Sequence, residues 1–472
     1  MHMKLSTVFA CSLSAFFMAA PAYATDYYVS STGNNSDPGT ITQPWQTIAQ
    51  VNSTVFLPGD RIFFAGGETF SGTISLDASD SGTATNPIVI GSYGTGRATI
   101  SSGNNYGLSA YNTAGITVKD LIFTGSGALV NTGRGISFYT DLPNNVKLDH
   151  INIDNVDVSG FDHGVSIGSW NGSTGYTNVS VTNSLLHDNA KSGLTSFAFT
   201  NVTNAHQNVY VSGVHAYNQT GVANYPDPTG HGIVLGGVDG GRIEHSKAWN
   251  NGALNTLAAG PCGIWAWNGN NVIIQYNESY GNRTDFAGGG GDGGGFDIDG
   301  GMTNSVLQYN YSHDNDGAGY LFAQYPGAPP FSNNVIRYNV SQNDARKAGW
   351  DGGINVWGDS PTYKVTNSQI HDNTVIIGPS AAGGTQKAIH LFGSYTGITV
   401  SNNTFITSGG VMLMEAQGTP TNADALFQCN DYYPTGDDED PSSAVLIRWG
   451  STAYTSVSAF MAGQSGQELC SE

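Results

Sequence analysis

Gly288–Gly301 reads GGGGDGGGFDIDGG. Three aspartates, Asp292, Asp297 and Asp299, break a run of glycine and apolar residues, and the last two stand two positions apart. Such a stretch could be a flexible linker, a calcium loop, or a strand that shows carboxylates to a substrate. The flanking sequence decides between them. GGFDID (Gly294–Asp299) is one of eleven segments in which a small residue leads an alternating stretch. The others are YGLSAY, RGISFY, HGVSIG, SGLTSF, HGIVLG, CGIWAW, AGYLFA, GGINVW, KAIHLF and GVMLME, and they recur every 22 to 39 residues.

A second element lies between them: NVIIQYNESYGN, NSVLQYNYSHDN, NNVIRYNVSQND, VTNSQIHDNTVI and TGITVSNNTFI. Each carries an asparagine after a β-branched strand, which places Asn277, Asn310, Asn339, Asn373 and Asn403 one above another. A single coil of short strands cannot bury its own apolar side chains, but stacked coils can. Neighbouring strands sit ~4.8 Å apart. Asparagine at a turn tolerates left-handed backbone and can hydrogen-bond to the asparagine above it. The expectation is an all-β, right-handed parallel solenoid of about eleven coils, with an N-terminal cap and a short C-terminal tail.

The bulk composition agrees with this. The chain has 472 residues, of which 39% are hydrophobic and 11% charged, with 64 glycines and 23 tyrosines. Its short β-branched runs separated by turn residues read as many strands. A net charge of −20 speaks against a partner with a nucleic-acid backbone. The first residues, MHMKLSTVFACSLSAFFMAAPAYA, have a lysine at the start, an apolar stretch and a small-x-small end at Ala22-Tyr23-Ala24. They read as a signal peptide cleaved near Ala24, hence a secreted protein, extracellular or periplasmic, with no membrane span. An oxidising compartment favours one cysteine pair, Cys429 with Cys470 in the tail, and leaves Cys262 as a buried thiol. The expected organisation is residues 1–24 as signal peptide, 25–418 as solenoid and 419–472 as a tail packed on it, in a monomer.

The repeats resemble those of right-handed parallel β-helix proteins over roughly Thr25 to Glu415. The opening, DYYVSSTGNNSDPGTITQPWQTIAQVN with PGDRIFFAGGETFSG and NPIVIGSYG, is similar to the start of many secreted β-helix polysaccharide lyases and hydrolases. That resemblance implies a carbohydrate-active protein acting on a polysaccharide or oligosaccharide.

Strand side chains alternate between faces. The residue after the small slot is apolar throughout, from Leu108 and Ile136 to Phe296, Tyr320, Ile354, Ile389 and Val411, and points inward. Two positions on, Phe138, Ile167, Leu235, Ile298, Phe322, Val356, Leu391 and Leu413 also point inward. The residues between them face out: Trp265 and Trp267, Asp297 and Asp299, Leu321 and Ala323, Asn355 and Trp357, His390 and Phe392. Two unpaired carboxylates in the core would be costly, so FDID fixes the register. Sugar rings stack on aromatic faces and hydrogen-bond to carboxylates, so this stripe reads as a carbohydrate groove. The longest loops lead into these strands or out of them and bring Asp227, His231, Asp292, Asp316, Trp350 and Asp351 toward the same face.

Two carboxylates flanking a glycosidic bond suffice to hydrolyse it. Asp297, Asp299, Asp292 and Asp316 are the candidate catalytic acids; Trp265, Trp267, Asn355, Trp357, His390, Phe392, His231, Trp350 and Asp351 are the candidate substrate contacts. The segment resembles polygalacturonase-like β-helix hydrolases, but their Asp-Gly-x-Asp run is stretched here to Asp292-Gly-Gly-Gly-Phe-Asp297, so their residue roles do not transfer. A lyase acting on a uronate polymer is the alternative. It would use Lys387, Arg346 or Lys347 as base, with Ca²⁺ held by the acids. A non-catalytic glycan-binding column is the third reading. Hydrolysis requires no cofactor.

Overall fold

The computed structural model describes residues 24–347, 351–435 and 445–470. The leader, Trp350 and the acidic run at 436–440 lie outside the described residues. Three long sheets wrap around one apolar interior. Sheet 1 has fourteen strands from Asp26–Val29 to Ala425–Gln428, and sheet 2 has thirteen from Thr69–Ser71 to Asp431–Thr435. Sheet 3 has fourteen, from Ile74–Leu76 to Thr452–Tyr454. Consecutive strands of one sheet come from consecutive coils and pair in parallel, save the antiparallel Ile447–Trp449 and Thr452–Tyr454 at the end. This is a parallel β-solenoid of about thirteen turns rather than eleven. The extra turns come from Ile74–Leu76, which precedes the first quoted segment, and from Ile447–Trp449, which follows the last.

Each coil runs sheet 1, sheet 2, sheet 3. The apolar alternation fills the interior: Ile264, Phe296, Tyr320, Ile354 and Ile389 form one inward file, and Ala266, Ile298, Phe322, Val356 and Leu391 form the next. The small slot has a steric cause. A Cβ on Gly263, Gly295 or Gly319 would overlap the serine hydroxyl of the sheet 2 strand beside it, from Ser279, Ser312 and Ser341 respectively. In these three coils only glycine lets the chain enter sheet 3 without displacing that serine.

The predicted asparagine file is present between sheets 1 and 2. Asn277 Nδ2 donates to Asn310 Oδ1 at 3.0 Å, Asn310 to Asn339 at 3.1 Å, Asn339 to Asn373 at 3.0 Å and Asn373 to Asn403 at 2.9 Å. The left-handed backbone sits one residue earlier, at Tyr276, Tyr309, Tyr338, Asp372 and Asn402, with φ of 54–56°. That residue turns the chain, and the asparagine behind it is buried with its amide inside. A second file stands between sheets 2 and 3, where Asn251 donates to Asn282 at 2.9 Å, Asn282 to Asn315 at 2.9 Å and Asn315 to Asp344 at 2.7 Å.

The tail closes the last coil. Trp449 and Phe460 pack against the interior, and Cys429 and Cys470 are joined, with Cα atoms 5.0 Å apart. Cys262 is a free, buried thiol. Among the described residues no helix is long and apolar enough to cross a membrane.

Asn310 donates to Ile274 O and Asn339 Oδ1 and accepts from both the backbone and the amide of Asn277. Asn310→Ala strands buried donors on one coil and acceptors on the others, so it should destabilise the column by about 1–3 kcal/mol or more. Thermal unfolding followed by circular dichroism checks this; an unchanged midpoint would make the file ornamental.

Candidate active site on the outer face of sheet 3

The outer face of sheet 3 carries most of the residues predicted for the groove. Cα register aligns Trp265 with Asp297, Asp297 with Leu321, Leu321 with Asn355 and Asn355 with His390. A parallel file aligns Ala323 with Trp357 and Trp357 with Phe392. FDID buries Phe296 and Ile298 in the core and turns both acids outward, as its alternation requires.

One strand differs from the sequence reading. Met414, not Val411 or Leu413, aligns with Ile389, and Glu415 aligns with His390. Val-Met-Leu-Met has no polar residue to mark a face, and Gly409 and Gly410 belong to a turn with positive φ rather than to the small slot. Leu413, fully buried, stands level with Ala388 in that slot. Glu415 therefore joins the groove face, 3.1 Å from Lys387 Nζ and 3.7 Å from His390 Nε2.

Four carboxyl groups gather where the glycine-rich loop enters the sheet. Asp297 is 4% exposed, and its Oδ1 has no protein partner. Burial, reinforced by Asp299 and Asp292, holds its proton far above the ordinary carboxylate range. Asp299 is partly exposed; its Oδ1 accepts from Gly300 N at 2.7 Å, and burial pushes its pKa up to about 7. Asp292 sits at φ 51°, accepts from Gly260 N at 2.8 Å through Oδ2, and is pushed up to about 6, again by burial. Asp351 stands at the entry of the strand Gly352–Gly358, two coils further along sheet 3, and is 2% exposed. Its Oδ1 accepts from Asn355 Nδ2 at 2.7 Å, its Oδ2 has no protein partner, and burial followed by repulsion from Asp292 takes it to about 8. Only Asp292 and Asp299 of the four combine a raised pKa with solvent contact.

The aromatic residues take defined places around them. The Trp267 indole lies across Gly236, where any Cβ would overlap it, and keeps its outer side partly exposed. Trp265 Nε1 donates to His231 Nδ1 at 3.1 Å, and His231 Nε2 donates to Pro228 O at 3.1 Å. Burial lowers the His231 pKa to about 4, so the ring is neutral and fixed in one tautomer. Asn355 Oδ1 accepts from Gly352 N, which completes its bracket around Asp351. His390 is buried, stacks on Phe392 with centroids 4.4 Å apart, and stands 3.0 Å from Gln417 Nε2. Tyr325, which sequence spacing did not mark, reaches over Gly300 from the QYPGAPP loop. Its phenol pKa is raised by burial and then by Asp299 and Asp297.

Other residues of the predicted set are engaged elsewhere. Asp316 is 1% exposed and paired with Arg283 at 3.1 Å and Lys347 at 2.9 Å, while it also accepts from Thr284 N. Arg346 donates to Asp344 O, Gly378 O and Pro379 O. Lys387 is buried and bound to Glu415. Asp227 is exposed on its loop. Among the described residues no group of three or more His, Cys, Asp or Glu side chains is arranged to hold a metal ion.

Residues 201–421 match the family model described as a right handed beta helix region. The column is a right-handed parallel β-helix. A lacto-N-biosidase of Bifidobacterium longum subsp. longum is 29% identical over 199 residues, which are 40% of this chain and 11% of that protein. The chain thus spans about a tenth of the length of that curated relative. The GH136 lacto-N-biosidase of Eubacterium ramulus superposes with a TM-score of 0.61 at 20% identity, over 80% of this chain and 67% of that one. The A-module of a mannuronan C-5 epimerase from Azotobacter vinelandii gives 0.51 at 13% identity, over 82% of this chain and 95% of that one. These β-helix structures share the fold.

The raised carboxyl groups tie stability to pH. In the unfolded chain all four aspartates lose their protons near pH 4, whereas Asp292, Asp299 and Asp351 keep theirs in the folded β-helix until about pH 6, 7 and 8. Between those limits these aspartates bind more protons in the folded state, so their contribution to stability falls as pH rises. The buried His206 and His231, lowered to about 4, act the other way below about pH 6.5. The melting temperature should therefore be higher at about pH 6.5 than at about pH 8.5. The difference should shrink in Asp297→Asn, which stays neutral. Differential scanning calorimetry across that range checks both.

Proposed function

We propose that this β-helix is a glycoside hydrolase that cleaves an oligosaccharide or polysaccharide in the groove on sheet 3, by acid and base catalysis between Asp299 and Asp292. The observation that carries the proposal is the pair itself. These are the two solvent-touching members of a buried carboxyl cluster, set beside the Trp267 platform, and they hold protons to different pH. The sequence likeness to a lacto-N-biosidase supports the same reading and makes a lacto-N-bioside the first substrate to try.

Near neutral pH Asp292 is the more ionised and Asp299 the more protonated of the two. Asp299 then donates its proton to the leaving oxygen as the glycosidic bond breaks, and Asp292 either attacks the anomeric carbon itself, to be released later by water, or takes the proton of the water that attacks it. The Gly300 and Gly260 amides hold one oxygen of each carboxyl group and leave the other to the substrate. Asp297 remains neutral beneath them, while burial and then repulsion from Asp292 keep the proton of Asp299 in place. Trp265, held by His231, and Trp267, Trp357 and Phe392 supply stacking surface along the groove, while Asn355 and Asp351 supply hydrogen bonds to hydroxyl groups. Asp316 holds the rim loops through its ion pairs instead of touching the sugar. A lyase would need a free cationic base near the acids, and Lys347, Arg346 and Lys387 are each committed to other partners. A purely lectin-like column has no use for carboxyl groups kept protonated at neutral pH.

The secreted protein should release reducing ends from an aryl β-lacto-N-bioside or from a member of a glycan panel, without ultraviolet-absorbing unsaturated ends, and with no loss after chelation. Asp299→Asn and Asp292→Asn should fold normally and each lose ~10²-fold or more in kcat, with the alkaline limb of the pH profile moving in Asp299 variants. Full activity in both variants would remove the assignment, and unsaturated products would replace it with elimination.

A further inference from the structure

The groove does not end at the carboxyl cluster. Toward the N-terminus its outer aromatic file continues through Tyr139 and Phe197, which flank Gly168 in register. Phe197 leans across Gly168, where a Cβ would overlap the ring, just as Trp267 lies across Gly236. Tyr139 and Phe197 are tilted by 30° with centroids 6.3 Å apart, which makes a nearly continuous floor. Beside this floor stand Trp170, 50% exposed, and Phe199, 42% exposed, in edge contact at 5.5 Å. The Arg134 guanidinium lies over Phe197 at 5.1 Å and donates to Ser166 Oγ at 3.1 Å.

Large aromatic side chains rarely stand open together on a plain surface. The contrast with sheet 2 shows what is special here. On that face His187, Tyr217, Trp249, Tyr280 and His313 stack in parallel with centroids 4.4 to 5.7 Å apart, so each ring spends its faces on its neighbours and shows water only an edge. Phe197 and Trp267 lie on glycine instead, and both remain partly exposed. Three coils separate Phe197 from Asp299, roughly 14 Å, and Tyr139 lies two coils further, so the patch falls on the line of the groove at a distance of several sugar residues.

We infer that Tyr139, Phe197, Trp170 and Phe199, with Arg134, form a distal saccharide subsite that holds the same glycan chain several residues away from the bond cut at Asp299. This rests on the glycosidase reading and adds that the substrate is a chain running along the column axis over at least four coils. Stacking on Phe197 and Trp170 supplies the apolar contact, and the Arg134 N–H groups donate to ring or substituent oxygens. A carboxylated or sulfated unit would gain most from Arg134; a neutral unit would use the stacking alone.

Native affinity electrophoresis tests this without turnover. Folded Asp299→Asn protein is run through gels containing gastric mucin, galactan or arabinoxylan. At least one polymer should retard it, and adding Phe197→Ala or Trp170→Ala should weaken that retention about threefold to tenfold each. Phe197→Tyr, which keeps the platform, should retain it. In the active background the same alanine variants should hydrolyse a short aryl disaccharide glycoside normally, which shows that the fold and the acids are intact. The inference is overturned if none of the three polymers retards the protein. It is also overturned if retention survives both alanine variants and is lost only in Trp267→Ala. The glycosidase reading fails separately, by undiminished activity in both Asp292→Asn and Asp299→Asn, whatever the gels show.

Discussion

Everything in this molecule hangs on the buried amide files. Parallel strands three residues long have little register information of their own, since a slip by one residue costs few hydrogen bonds but inverts every side chain. The asparagine side chains remove that freedom. Each gives one N–H to the carbonyl of the preceding coil and one to the asparagine of the next, as Asn310 does with Ile274 O and Asn339 Oδ1. A slip would leave those donors and acceptors unpaired inside a dry interior, at a cost paid at every coil. The acid pair on sheet 3 inherits its placement from that restraint, because its own strand, Gly294–Ile298, is only five residues long.

The carboxyl chemistry is the other side of the same rigidity. Asp297 and Asp351 are kept out of water by a floor and loops that the rest of the column holds still, and neither has enough hydrogen-bond donors to stabilise a charge. Burial dominates each shift, and repulsion from Asp292 adds to both. An exposed loop with the same four aspartates would let them separate and ionise. Here the folded chain gives up stability above neutral pH to keep protons close to the groove, which is the kind of local cost active sites commonly carry.

The column was legible in the sequence because its periodicity is steric. The glycine slot, the inward alternation and the asparagine file each follow from a clash or a buried hydrogen bond repeated coil by coil. FDID was legible because carboxylates cannot face a core. The stretch Val411–Met414 was not, since four apolar residues carry no face marker, and Glu415 was lost with it. Asp316 read as a free acid because its partners Arg283 and Lys347 lie 33 and 31 residues away on other loops, a distance that spacing rules do not cover. Tyr325 and the Tyr139–Phe197 floor went unseen for a related reason: they gain meaning only from the glycine each ring lies on or near in the adjacent coil.

The chain's three-sided winding also separates two kinds of change. The groove floor is made of strands locked to their neighbours by files on either side, while its walls are loops such as 281–293 and 378–386 that leave sheet 2 and return to sheet 3. Lengthening or shortening the middle of 281–293 alters the contour of the trench without shifting the strand it feeds, because Asn282 at its start and the serine-backed Gly295 after it are fixed independently. Such a scaffold can exchange the shape it recognises while its reactive carboxyl groups stay where they are, and diversity can accumulate one coil at a time.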